Sequence, residues 1–151
     1  MKKIAFIICV AALFSGCASV KMESKEASGK AKQFAQPSPS NSGLYAYRNS
    51  SFGKALKKNI WVDGKCVGES APDVFFYTEI AGGKSHVIST ESEFSPNNLT
   101  LWAEAGKNYF VRQYIKFGVF VGGAGLELIP EEEGKVAVSN LELATPGACS
   151  N

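Results

Sequence analysis

NIWVDGKCVGES, residues 59–70, is the stretch from which the fold is read. Asp63-Gly64 stands between two short runs of alternating character. Asp-Gly in that setting is the strongest short-range hairpin signal, because a tight type I′ turn needs positive φ at both central residues. A two-residue turn here pairs Val62 with Lys65, Trp61 with Cys66 and Ile60 with Val67. Side chains alternate between faces along a strand. Ile60, Val62 and Val67 therefore share one face, and Trp61 and Cys66 share the other.

The same texture extends outward on both sides. LYAYRN (44–49) precedes the hairpin, and DVFFYTEI (73–80) follows it with Val74, Phe76, Thr78 and Ile80 on one side. Gly82-Gly83 predicts a turn into KSHVIST. NLTLWAEA (98–105) points Leu99, Leu101 and Ala103 inward, against Thr100, Trp102 and Glu104. Gly106-Lys107 turns the chain into NYFVRQYIKF (108–117). There Tyr109, Val111, Ile115 and Phe117 share one face, and Phe110, Arg112, Tyr114 and Lys116 share the other. GVFVGGAGLELIP (118–130) carries four glycines, which in a strand pattern mark bulges or a tight hairpin. Pro130 before Glu131-Glu132-Glu133 signals a helix start, with acids at the positive end of the helix dipole. One short helix is expected near 131–139, weakened by Gly134, with LELA as a last strand. Short strands at regular spacing predict an all-β, antiparallel β-sandwich-like domain over residues 44–146, followed by a tail at 147–151.

The N-terminus has a different character. Lys2-Lys3 and the uncharged run Ile4–Phe14 have the layout of a secretory signal, with an apolar stretch of roughly 7–15 residues. The run is shorter than the about 20 residues a membrane span needs. Ser15-Gly16-Cys17 resembles the bacterial lipobox, with Phe14 where a branched residue usually stands. That resemblance implies a signal peptide over 1–16 and lipidation, including palmitate, at Cys17. The alternative is an ordinary signal cut near Ala18. Ala18 rather than Asp after the cysteine implies the outer membrane, with the domain facing the periplasm. Residues 17–43 read as the lipidated cysteine and a flexible tether, since their Ser, Lys, Glu and Pro content offers little to bury.

Three pieces, YRNSSFGKALKKNIWVDGKCVGES, FFYTEIAGGKSHVIST and AEAGKNYFVRQ, together resemble an uncharacterised family of small bacterial envelope lipoproteins carrying a domain of unknown function. They are also similar to PEGA-type β modules at Asp63, Gly64, Gly68, Gly83, Lys84 and His86. Gly82 stands where those modules have proline, and Ser85 separates Lys84 from His86. The resemblance implies a β-sandwich-like fold and brings no catalytic residues with it.

Charge and cysteine narrow the function classes. The chain has 16 Lys+Arg and 14 Asp+Glu. Removing residues 1–16 takes away Lys2 and Lys3, leaving 14 of each and a formal net charge of zero. A nucleic-acid binder needs a basic surplus on one face, so nucleic acid is not an expected partner. Cys9 leaves with the signal. Cys66 and Cys149 remain as an even pair in an oxidising compartment, the setting in which disulfides persist. A Cys66–Cys149 bridge is expected, the alternative being two free thiols.

His86 is the single histidine, and the sequence has no C-x-x-C spacing, G-x-S-x-G elbow or phosphate loop. No metal or cofactor and no enzymatic activity are expected. Phe110, Arg112, Tyr114 and Lys116 form a candidate binding stripe, since aromatics interleaved with cations suit a glycan, a peptide or a protein. The bland alternative is packing. The expected function is a non-enzymatic structural or protein-interaction module of the cell envelope. It would be held on the membrane through its N-terminal lipid and would engage an envelope protein. The alternative is a lipoprotein that binds a small ligand or peptidoglycan.

Overall fold

A computed structural model describes residues 18–94 and 96–151. The signal-like stretch 1–16 and the lipidation candidate Cys17 lie outside the described residues. Helix α1 (Lys25–Ala31) precedes strand β1 (Asn41–Arg48). Then come β2 (Lys58–Val62), β3 (Lys65–Ser70), β4 (Val74–Ala81), β5 (Lys84–Thr90), β6 (Asn97–Ala103), β7 (Asn108–Lys116) and β8 (Gly123–Ile129). Helix α2 (Glu131–Ser139) and the short β9 (Glu142–Leu143) close the chain.

The strands form two sheets, β8-β7-β1-β4-β9 and β3-β2-β5-β6. The fold is all-β and sandwich-like, with a short helix near the C-terminus, as the sequence predicts. Strand direction differs from the expectation of a purely antiparallel domain. β1 runs parallel to β7, and β4 runs parallel to β9. The reason is connectivity. Between β4 and β7 the chain visits the second sheet through β5 and β6, and parallel neighbours require a long excursion of this kind.

The Asp63-Gly64 turn is present, with φ of 50° and 76°. Trp61 pairs with Cys66 and Val62 with Lys65 as expected, but Ile60 faces Gly68 rather than Val67. A bulge adds one residue to β3. The Phe76 ring lies so close to Gly68 that a Cβ there would come within 2.3 Å of it. Ile60, Val62 and Val67 are all buried in spite of the shift.

Two apolar layers hold the molecule together. Between the sheets, Leu44, Val111 and Phe76 of one meet Ile60, Ile88 and Leu101 of the other. On the outer face of the five-stranded sheet, Tyr45, Phe75 and Phe110 pack with Ile129, Val138 and Leu141. Tyr45 and Phe110 stack at 4.9 Å, and Phe34 meets Tyr45 edge-on at 5.4 Å. β1 is therefore buried on both faces. Gly134 sits directly over the Phe110 ring, 2.3 Å from where a Cβ would be. The glycine that weakens the helix signal is what lets α2 approach the sheet.

The N-terminal segment departs from the tether expectation. Met22 forms an antiparallel bridge with Ala144, and Glu23 N–H donates to Leu143 O at 2.9 Å. Ser28 is buried, donates to Glu142 Oε2 at 2.9 Å and accepts from Leu143 N–H at 3.1 Å. Phe34 packs into the aromatic layer. A few anchors, rather than average composition, decide that residues 18–40 lie on the domain. The strand they lead into begins at Asn41, not at residue 44. The C-terminal tail is held too: Gly147 N–H donates to Val67 O at 2.8 Å, and Ser150 N–H donates to Asn59 Oδ1 at 3.1 Å.

Candidate functional site

Three places in the molecule concentrate chemistry. The first is the cysteine pair. The structure joins Cys66 on β3 to Cys149, 83 positions further along the chain, with their Cα atoms 6.0 Å apart. Asn59 clamps the same tail, donating from Nδ2 to Ser150 O at 2.7 Å.

The second is a cleft of about 500 Å³ lined by Asp63, Lys65, Ile80, Lys84 and His86. The His86 ring is buried, with Nδ1 2.7 Å from Asp63 Oδ2 and Nε2 2.8 Å from Ala81 O. Both ring nitrogens are thus engaged by the protein, one by the Asp63 carboxylate and the other by the Ala81 carbonyl. The Val87 N–H, and after it the His86 ring, hold the Asp63 carboxyl below the usual carboxylate range. His86 thus ties the β2–β3 turn to the start of β5. Among the described residues no three His, Cys, Asp or Glu side chains gather as a metal-binding group.

The third is the β7–β8 hairpin, which carries the predicted stripe. The structure divides that stripe. Phe110 is fully buried under α2 and stacks on Tyr45, so it touches no partner outside the domain. Arg112 is half-buried and paired with Glu127 across the hairpin. Tyr114 is exposed over Gly125, and Lys116 is exposed at the end of the strand. Only Arg112 and Tyr114 share a depression, with Asn49, Ser50 and Glu127. The reason is that α2 covers just the first part of the outer face of β7.

Beyond Lys116 the hairpin ends in an apolar tip. Phe117, Val119 and Phe120 are 88%, 74% and 84% exposed. Phe117 meets the exposed Phe52 edge-on at 4.8 Å. Two residues hold this end. Arg48 is fully buried, and its guanidinium donates to Leu56 O at 2.6 Å, Gly53 O at 2.7 Å and Phe52 O at 3.3 Å. Burial lowers its pKa from the ordinary arginine value, against the opposing pull of Asp73. Glu93 accepts the backbone N–H groups of Val119, Phe120 and Val121. Desolvation pushes its carboxyl up, and the three N–H bonds outweigh this and hold it below the usual range. Gln113 was missed by sequence reasoning. It is buried on the inner face, donating from Nε2 to Thr90 Oγ1 at 2.7 Å and accepting from Ser70 Oγ. No local pattern marks a polar residue for such a role, because its partners come from three other strands.

Comparison with known proteins places the molecule. Residues 38–124 match the family described as protein of unknown function DUF2846. The chain belongs to the DUF2846 family. An uncharacterized protein of Haemophilus influenzae is similar to it, 61% identical over 140 residues that cover 93% of this chain and 83% of that protein. No solved structure matches. The DUF2846 match begins before β1 and ends inside β8, so it spans both sheets and the apolar tip.

Proposed function

We propose that this DUF2846 protein is a lipid-anchored envelope module, a non-catalytic β-domain that binds or braces a partner protein at the outer membrane, facing the periplasm. The observation that carries the reading is the Cys66–Cys149 pair, brought to bonding distance across the length of the domain. Such a bridge persists in oxidising compartments and is rare in the cytosol. The lipobox-like Ser15-Gly16-Cys17 supports the same address from the other end of the chain. The likeness to PEGA-type β modules belongs to this reading.

Intact mass of the protein purified from membranes, without and then with reductant, tests it. The reading predicts residues 17–151 plus acyl chains, and a gain of about two mass units on reduction as the broken S–S bond takes up hydrogen. An unlipidated mass would make the protein a free secreted domain and defeat the proposal. A second reading, binding of a small ligand or a peptidoglycan fragment, draws support from the cleft between Lys65, Lys84 and Asp63. Crosslinking in intact envelopes separates the two. Reproducible protein neighbours favour the module, and covalently captured glycan fragments favour the binder.

A further inference from the structure

The apolar tip and the start of the described chain lie at the same end of the molecule. Ala18 N–H donates to Lys54 O at 2.8 Å. Lys54 belongs to the segment that Arg48 pins through the carbonyls of Phe52, Gly53 and Leu56. That segment packs on the hairpin, with Gly53 against Ile115 and Phe52 against Phe117. Cys17 is one residue before Ala18, and consecutive Cα atoms are about 3.8 Å apart. Ala18, the residue next to the acylation position, is thus held on the segment that carries Phe52 and packs on the hairpin.

We propose that Phe52, Phe117, Val119, Phe120 and Val121 insert into the lipid surface on which Cys17 is anchored, seating the domain end-on. This inference rests on the proposed anchor and deepens it. A contiguous exposed apolar patch marks an interaction surface, and three further features favour lipid as its occupant. Its place beside the acylation position is the first. The exposed cations Lys54 and Lys116 flank it, and cations near a bilayer surface are drawn to anionic headgroups. Glu93 satisfies the N–H groups of Val119, Phe120 and Val121, which lowers the cost of taking that backbone out of water. Acyl chains alone hold the protein on the bilayer without orienting it. The tip adds orientation.

Depth-dependent fluorescence quenching tests the inference on the full lipidated protein. The variants are Phe120→Trp and, separately, Val119→Trp. Val136→Trp is the control, on the exposed side of α2 and itself 67% exposed. Each is purified from membranes, weighed intact and reconstituted into phosphatidylethanolamine–phosphatidylglycerol vesicles with or without brominated phosphatidylcholine. The emission of the parent chain, from Trp61 and Trp102, is subtracted. The proposal predicts a blue-shifted tip signal that brominated lipid reduces ~two-fold or more relative to the Val136→Trp signal, as expected for a side chain in the headgroup and acyl boundary. Equal quenching at tip and control in a protein whose mass includes acyl chains would overturn the inference and leave the anchor standing. A blue shift without bromine quenching would also overturn it, showing the tip covered by protein, such as a second copy. A mass without acyl chains would defeat the anchor and the inference together.

Discussion

Phe110 and Phe120 stand on one hairpin, ten residues apart, and have opposite fates. Phe110 is fully buried, stacked on Tyr45 and roofed by Gly134 of α2. Phe120 projects from the tip among other exposed apolar side chains. The difference does not lie in residue type or in strand periodicity. It lies in what covers each. The roof over Phe110 comes from the two flanks of the sequence, Phe34 on one side and α2 on the other. At the tip, among the described residues, the flanks contribute Ala18, which bonds to Lys54 beside the patch. One end of the sheet is closed by the chain itself, and at the other the apolar side chains stay exposed among the described residues.

That contrast can be broken from its strong side first. Phe110→Ala should destabilise the domain by about 3–5 kcal/mol in urea unfolding, the range for truncating a buried aromatic, whereas Phe120→Ala should stay within about 0.5 kcal/mol. Equal losses at the two positions would mean the tip is packed after all. Replacing both Cys66 and Cys149 by Ser should cost about 2–5 kcal/mol by the same assay, because the bridge ties the tail to β3 across 83 residues.

Smaller effects sharpen the picture at the tip. Arg48→Met removes the donor for three loop carbonyls. It should cost about 1–3 kcal/mol and speed amide exchange over residues 50–56 more than in β2. The smallest effect is acid release of the tip. The Glu93 carboxyl is held below its ordinary 4.5 by the hairpin N–H groups, in spite of desolvation. A depressed carboxylate contributes order that is present above the unfolded value and lost as pH falls through the folded one. The fluorescence anisotropy of detergent-solubilised Phe120→Trp should therefore be constant above about pH 5 and fall below about pH 4. Adding Glu93→Gln should remove that dependence.

What was legible in the sequence follows the same divide between local and distant causes. Strands and turns are local. Asp63-Gly64, Gly83 and Gly106 punctuate the chain where positive φ is needed, and the inward set Leu99, Leu101 and Ala103 follows from a period of two, Leu99 being partly buried. The cysteine pair was legible from parity, together with the oxidising compartment that the signal-like N-terminus led us to expect. Sheet membership was not, because the parallel β1–β7 pairing depends on an excursion through the second sheet. Tyr45 and Tyr47, on the face of β1 opposite Leu44 and Ala46, are buried by segments far away in sequence. The stretch 18–40 looked like solvated linker because most of its residues are polar. Its docking hangs on Ser28, Phe34 and the Met22–Ala144 bridge, too few to alter its composition. The stripe on β7 is divided for the related reason that alternation gives the face but not the roof, and the roof covers Phe110 alone of the four.

The account turns on residues 18–40 being part of the folded domain, so that the anchor position and the apolar tip are held together. Hydrogen exchange of the lipidated protein in vesicles, read over residues 24–34 and compared with β9, tests this most directly. The account predicts that the amide of Ser28, which donates to Ser24 O at 2.9 Å, is protected together with those of β9, the whole unit opening cooperatively. Exchange of residues 24–34 at the rate of an unstructured chain, with β9 still protected, would contradict it. The domain would then hang on a loose tether, free of the surface that the tip was inferred to enter.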